Sequence, residues 1–140
     1  MILGIGTDIV DIERFRNSRT HMDNLAKRIC TDFELEEYFA NIDELKSLYL
    51  AKKWAAKEAV AKAFGTGIQG DTRFKSIEIR HNTNGKPVVC FNDKLRQTIE
   101  SLRARCHISL SDTDTSVVAY SVIEYDVNPQ HDWATENSQK

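Results

Sequence analysis

Glu58 and Lys62 are four residues apart in an alanine-rich stretch, a spacing that sets an acid and a base on one helix face with Ala51 and Ala55. Small neighbours leave room there for a ligand, although such a pair is ordinarily solvated and worth roughly a few tenths of a kcal/mol. Asp8 carries the same ambiguity. Alternation through MILGIGTDIV puts it on a strand face with Gly4 and Gly6, opposite Leu3, Ile5 and Ile9, and an acid in such a place ordinarily caps or faces water. Further on, Gly65-Thr66-Gly67-Ile68-Gln69-Gly70 could bring backbone close to a phosphate and present amide N–H groups to it. A helix C-cap followed by a loop explains Gly65 equally well. Neither GxxxxGK[ST] nor a strand followed by GxGxxG occurs. His21, His81, His107 and His131 have no metal-ligand spacing with one another or with Cys30, Cys90 and Cys106, which argues against zinc, and there is no G-x-S-x-G elbow.

The elements that must position these groups can be read from pattern. A strand covers the first ten residues. Thr31 followed by Glu34 is a capping-box signature that starts a helix. The clearest helix runs from about 45 to 64, with six alanines between 51 and 63, no Gly or Pro inside, and Gly65 as its stop. KSIEIRH and PVVCF read as strands joined through Asn82-Thr83-Asn84-Gly85-Lys86, where Asn84-Gly85 supplies the positive φ angles of a tight hairpin. Leu95, Ile99 and Leu102 recur at helical spacing from 92 to about 105, and CHISLSD and TSVVAYSVIEY are strand-like. After Tyr125 the composition turns polar, so the expected organisation is one domain over residues 1–126 and a frayed polar tail over 127–140. Separate βαβ units are not evident. The fold class expected is α+β, a small antiparallel sheet packed with one long Ala-rich helix and shorter helices.

Bulk properties narrow the partners. A chain of 140 residues with 41% apolar composition is long enough for one core without disulfides or metal staples. Its formal charge of −2 gives no global attraction to nucleic acid. Charge is nonetheless segregated: Arg14, Arg16, Arg19, Lys27 and Arg28 face only Asp23 among acids, and residues 31 to 45 hold acids with no Lys or Arg. Three widely spaced cysteines in apolar surroundings suit reduced, buried thiols. No segment approaches the roughly 18 apolar residues of a membrane span and no cleavable leader is present, so the expectation is a cytoplasmic protein that binds no membrane.

Taken in order, GIGTDIVDIER, LAKKWAAKEAVAKAFGTGI, the NGKP turn and a terminal strand pair beginning SLSD resemble the holo-acyl-carrier-protein synthases, the short-chain 4′-phosphopantetheinyl transferases, over residues 1 to 125. The resemblance implies the fold of that family. It also implies transfer of 4′-phosphopantetheine from coenzyme A to a serine of apo-acyl carrier protein, in support of fatty acid biosynthesis, with release of adenosine 3′,5′-bisphosphate. It makes Asp8 and Glu58 the ligands of a Mg²⁺ cofactor, consistent with an ion that accepts one or two protein carboxylates and completes its octahedron with water and phosphate oxygens. Lys62 would face the pyrophosphate as a point charge. Gly65 and Gly67 would lie beside the phosphates, and Gly85, Lys86 and Pro87 beside the adenosine end. Either Glu58 or a water on the metal could take the serine proton. Arg14 matches the family's carrier-docking arginine, with His21 and Arg28 in the same basic region. Many relatives have a histidine where this chain has Asp112, so no role of that histidine transfers.

A non-catalytic module that binds carrier proteins or nucleotides would use the same basic stretch and glycine loop, but would not need Asp8, Glu58 and Lys62 together. Nucleic-acid binding through Arg14 to Arg28 is disfavoured by the acidic stretch that follows and by the lack of interleaved aromatics. The last strand has Val117, Ala119 and Ile123 on one face and Val118, Tyr120 and Val122 on the other. Either helices cover both faces or one face meets a second subunit. The resemblance implies a homotrimer with active sites between subunits.

Overall fold

The computed structural model describes residues 1–125, and the expectation for 127–140 lies outside the described residues. Its elements are β1 (Ile2–Asp11), a short 3-10 turn (Ile12–Phe15), α1 (Arg19–Ile29), α2 (Asp32–Ala40), α3 (Asp43–Ala63), a second 3-10 turn (Phe74–Ser76), β2 (Ile77–His81), β3 (Pro87–Phe91), α4 (Asp93–Ser101), β4 (Ala104–Asp112) and β5 (Ser116–Tyr125). The expected α+β class holds, but the strands form two sheets: β1, β5 and β4 in that order, and the β2–β3 hairpin, all antiparallel.

The 21-residue helix α3 is the axis of the molecule. It lies across β1 and β5 on one side and reaches β2 on the other. One core cluster joins Ala51, Ala55 and Ala59 to Val10, Val117 and Ala119. A second joins Ala56, Val60 and Ala61 to Ile77, Ile79 and Leu95. The alanines therefore serve close packing on both flanks. Ala51 and Ala55 are wholly buried against strand side chains, so the room read beside Glu58 is filled by core and not left for a ligand.

β1 meets α3 through its glycines. A Cβ on Gly6 would stand 1.9 Å from the Ala59 carbonyl oxygen, and one on Gly4 would stand 2.0 Å from that of Ala63. Strand and helix backbones touch at these points, which no side chain but hydrogen permits. Among the described residues the opposite face of β1 and β5 has no such cover: Ile5, Ile9, Val118 and Tyr120 are exposed, Ile9 to 69%.

Helix α2 starts as expected, with Thr31 Oγ1 accepting from the Glu34 N–H and Glu34 accepting from the Thr31 N–H, a reciprocal cap worth about 1 kcal/mol. α3 begins two residues before the expected start and ends one residue before the expected end. α4 ends four residues early, because Arg103 adopts φ 49° and opens β4. In the hairpin only Gly85 has positive φ, 78°, and Asn84 does not. The loop is three residues long, closed by a Gly85 N–H to Asn82 carbonyl bond, and the Asn82 side chain accepts from the N–H groups of Asn84 and Lys86. Of the thiols, Cys30 is buried while Cys90 and Cys106 are half-buried, and all three are free.

Candidate functional site

The glycine contacts decide where Asp8 goes. With Gly4 and Gly6 pressed on Ala63 and Ala59, Asp8 on the same strand face arrives beside the preceding turn of α3, which carries Glu58, and Lys62 reaches it from one turn further on. Lys62 Nζ donates to Asp8 Oδ1 at 2.9 Å and to the Thr7 carbonyl at 3.0 Å. Thr7 Oγ1 in turn donates to the Ala119 carbonyl at 3.1 Å, tying this part of β1 to β5. Lys62 is half-exposed, so the pair contributes at most about 1 kcal/mol and the ammonium is easily drawn to a stronger anion.

Asp8 Oδ2 is buried and has no hydrogen-bond partner among the described residues. Glu58 is held above the usual carboxylate range, first by burial and then by the charge of Asp8, with Lys62 opposing both. An orphaned carboxylate oxygen beside a second, electrostatically disfavoured carboxylate is a hard-oxygen donor pair that a divalent cation would relieve. Among the described residues no group of three or more His, Cys, Asp or Glu side chains could hold a metal ion. Asp8 and Glu58 supply carboxylate oxygens, the donor type that Mg²⁺ takes one or two of from a protein.

The glycine loop follows directly from α3. Gly65 takes φ 78° as the residue after the helix cap, and its N–H donates to the Lys62 carbonyl at 2.9 Å. The Gly67 N–H donates to the Ala61 carbonyl at 3.2 Å. Both amides are spent on the helix end, so the expected presentation of N–H groups to a phosphate does not extend to Gly65 and Gly67. What these two glycines offer is close backbone approach, since nothing lies within 4 Å of either Cβ position. A groove of about 720 Å³ starts here, lined by Ala63, Phe64, Thr66, Leu3, Leu95 and Leu102.

Arg14 lies in the 3-10 turn after β1, its guanidinium 5.8 Å from the Trp54 ring centroid and 5.9 Å from that of Phe15. Trp54 is one helical turn before Glu58 on α3. His21 and Arg28 are exposed in the first and last turns of α1. They are seven residues apart, on one side of that helix. The basic stretch over 19–29 is helical. The helix signal was present: Ser18 caps it, and Met22, Leu25, Ala26 and Ile29 follow at i, i+3, i+4, i+7. Gly85, Lys86 and Pro87 are at the hairpin turn, on a different element from the cluster. Asp112 pairs with Lys52 of α3 at 2.9 Å.

Known proteins resemble this chain in sequence and in fold. Residues 4–120 match the family model described as the 4′-phosphopantetheinyl transferase superfamily. The chain is 41% identical over 125 residues to a holo-[acyl-carrier-protein] synthase of Azoarcus sp., covering 89% of this chain and 98% of that protein. It is 45% identical over 126 residues to the Shewanella denitrificans protein of the same name, covering 88% and 98%. The crystal structure of the Neisseria meningitidis holo-[acyl-carrier-protein] synthase superposes with a TM-score of 0.80 at 41% identity, covering 89% of this chain and 99% of that one. A Bacillus anthracis holo-(acyl-carrier-protein) synthase in complex with CoA (3′,5′-ADP) does so with 0.76 at 31% identity, covering 90% and 99%. With its glycine-docked strand, its helix-borne Glu58 and Lys62 and its hairpin all in that frame, the chain belongs to the 4′-phosphopantetheinyl transferase superfamily, among the holo-acyl-carrier-protein synthases.

Proposed function

We propose that this protein transfers 4′-phosphopantetheine from coenzyme A to a serine hydroxyl of apo-acyl carrier protein and releases adenosine 3′,5′-bisphosphate. The observation that carries the reading is the buried, unpartnered Oδ2 of Asp8 beside Glu58 and Lys62, in a chain of this family. Asp8 and Glu58 would hold Mg²⁺, which when bound supplies charge neutralisation at the pyrophosphate. Lys62 adds a second positive charge. It is held by a weak pair with Asp8, and a pyrophosphate competes for it at little cost. Phosphoryl transfer is chiefly a problem of alignment and charge, so these three side chains are a sufficient kit. Gly65 and Gly67 let the chain pass close to the phosphates, and Gly85, Lys86 and Pro87 flank the adenosine end.

Arg14, with His21 and Arg28 beyond it, forms the docking surface for an acidic carrier helix. Trp54 and Phe15 hold the Arg14 guanidinium at the edge of the site. The reading puts the protein in the cytoplasm, in keeping with its three unpaired cysteines. Among the described residues no helix is long and apolar enough to cross a membrane. The decisive experiment incubates the protein with apo carrier, coenzyme A and Mg²⁺. A carrier mass gain of one phosphopantetheine supports the reading, and an unmodified carrier refutes it.

The uncovered sheet face supports a homotrimer with sites shared between neighbours. Ile5, Ile9, Val118 and Tyr120 form an apolar surface that the described helices leave open. Light scattering should report three chains at assay concentrations. A fully active monomer would refute it.

A further inference from the structure

Among the described residues no strand covers one edge of β2. The Asn82 N–H donates to the Lys86 carbonyl and the Asn92 N–H to the Ser76 carbonyl, each at 2.9 Å, so the even-numbered residues of β2 face β3. By the alternation of an antiparallel ladder, Ile79 turns its N–H and C=O away from β3. Both groups are nevertheless paired. The Ile79 N–H donates to Glu34 Oε1 at 2.8 Å, and the Ile79 carbonyl accepts from Lys53 Nζ at 2.6 Å. An acceptor from α2 and a donor from α3 fill the two positions that a third strand would supply.

These side chains are buried, Glu34 completely and Lys53 to within 3%. Lys57 Nζ, also buried, donates to the other Glu34 oxygen at 2.6 Å and to the Ile29 and Phe74 carbonyls at 2.6 and 2.9 Å. Burying such charges costs several kcal/mol unless each finds partners, and apolar residues of similar size would fill the space more cheaply. They could not satisfy the backbone of Ile79, however, and a buried orphan peptide group is itself costly. Here two of the buried charges, Glu34 and Lys53, complete a strand edge.

We infer that Glu34 and Lys53 are positioning residues that act as a substitute strand, fixing the β2–β3 hairpin on α3 so that its turn meets the coenzyme. The inference rests on the proposed function, in which Gly85, Lys86 and Pro87 lie beside the adenosine end. The turn, exposed from His81 to Lys86, stands about 10 Å beyond Ile79 at the rise of a strand. Tilting at Ile79 is therefore amplified where the coenzyme binds, while Glu58 and Lys62, on the helix itself, stay in place.

Lys53→Met keeps the apolar stem and removes the donor. The expected result is a rise of about tenfold in KM for coenzyme A. The kcat and the carrier KM should stay within about twofold of wild type, and amide exchange at Ile79 should accelerate at least about tenfold. Lys53→Arg, which restores a donor, should restore both. If Lys53→Met does not fold, Lys53→Gln, shorter but still a donor, should give about a threefold rise in the same KM. An unchanged coenzyme KM in a folded variant overturns the inference, as does a fall in kcat with both KM values raised alike, the sign of general loosening. If the wild-type protein transfers nothing, the proposed function fails while the exchange measurement still reports on the substitute strand.

Discussion

Replacing Gly6 with alanine adds one carbon at the point where β1 touches α3. That carbon would sit 1.9 Å from the Ala59 carbonyl oxygen and 2.6 Å from the Ala63 nitrogen, both backbone atoms of a helix that cannot rotate a side chain out of the way. Restoring an ordinary tight contact of 3.0 to 3.4 Å requires strand and helix to part by about 1.1 to 1.5 Å. Overpacking of this kind costs about 1 to 3 kcal/mol or more. At a urea dependence of about 1 to 3 kcal/mol per molar, the midpoint should fall by roughly 1 M. The same separation carries Asp8 away from Glu58 and Lys62, and a misplacement of about 1 Å at a reacting centre costs on the order of 100-fold in rate. Gly6→Ala should therefore be folded at low urea, less stable, and slower by about two orders of magnitude in a carrier mass-shift assay. Gly70→Ala is the matched control, because its φ is 59° but nothing lies within 4 Å. It should cost about 1 kcal/mol of stability from backbone strain alone, without overpacking. A Gly6→Ala protein with the wild-type urea midpoint and turnover would refute the argument that the glycine contact sets the site.

Glu58→Gln should abolish transfer yet stabilise the metal-free protein at neutral pH, as read by thermal melts in chelator. Because burial and Asp8 raise the folded-state value of Glu58, its native form is most stable when protonated; that stability is lost as pH rises through the raised value, so the mutant's advantage should vanish in acid. Arg14→Ala should raise KM for carrier protein about tenfold while leaving that for coenzyme A within about twofold, and added salt should erase the difference; an unchanged carrier KM would move docking elsewhere. A chain stopped after Asp126 should keep wild-type melting and turnover, and loss of folding would show that Trp133 contributes to the core.

Periodicity and spacing made much of this protein legible. Alternation put Gly4, Gly6 and Asp8 on one face of β1, the alanines marked α3, and Thr31 with Glu34 marked the start of α2, because each of these signals is local and acts within one or two turns of chain. The motifs GIGTDIVDIER and LAKKWAAKEAVAKAFGTGI carried the family. What no local signal held was the meaning of the small residues. The glycines of β1 and the alanines of α3 are far apart in sequence, and only folding shows that they exist to let two backbones meet, with Asp8 delivered to Glu58 as the consequence. Glu34 read as a helix cap, which it is. That the same carboxylate, itself paired with Lys57, also serves with Lys53 as the missing neighbour of β2 was decided by three elements converging in a buried space, where low dielectric makes every unpaired group costly and leaves few arrangements that satisfy them all.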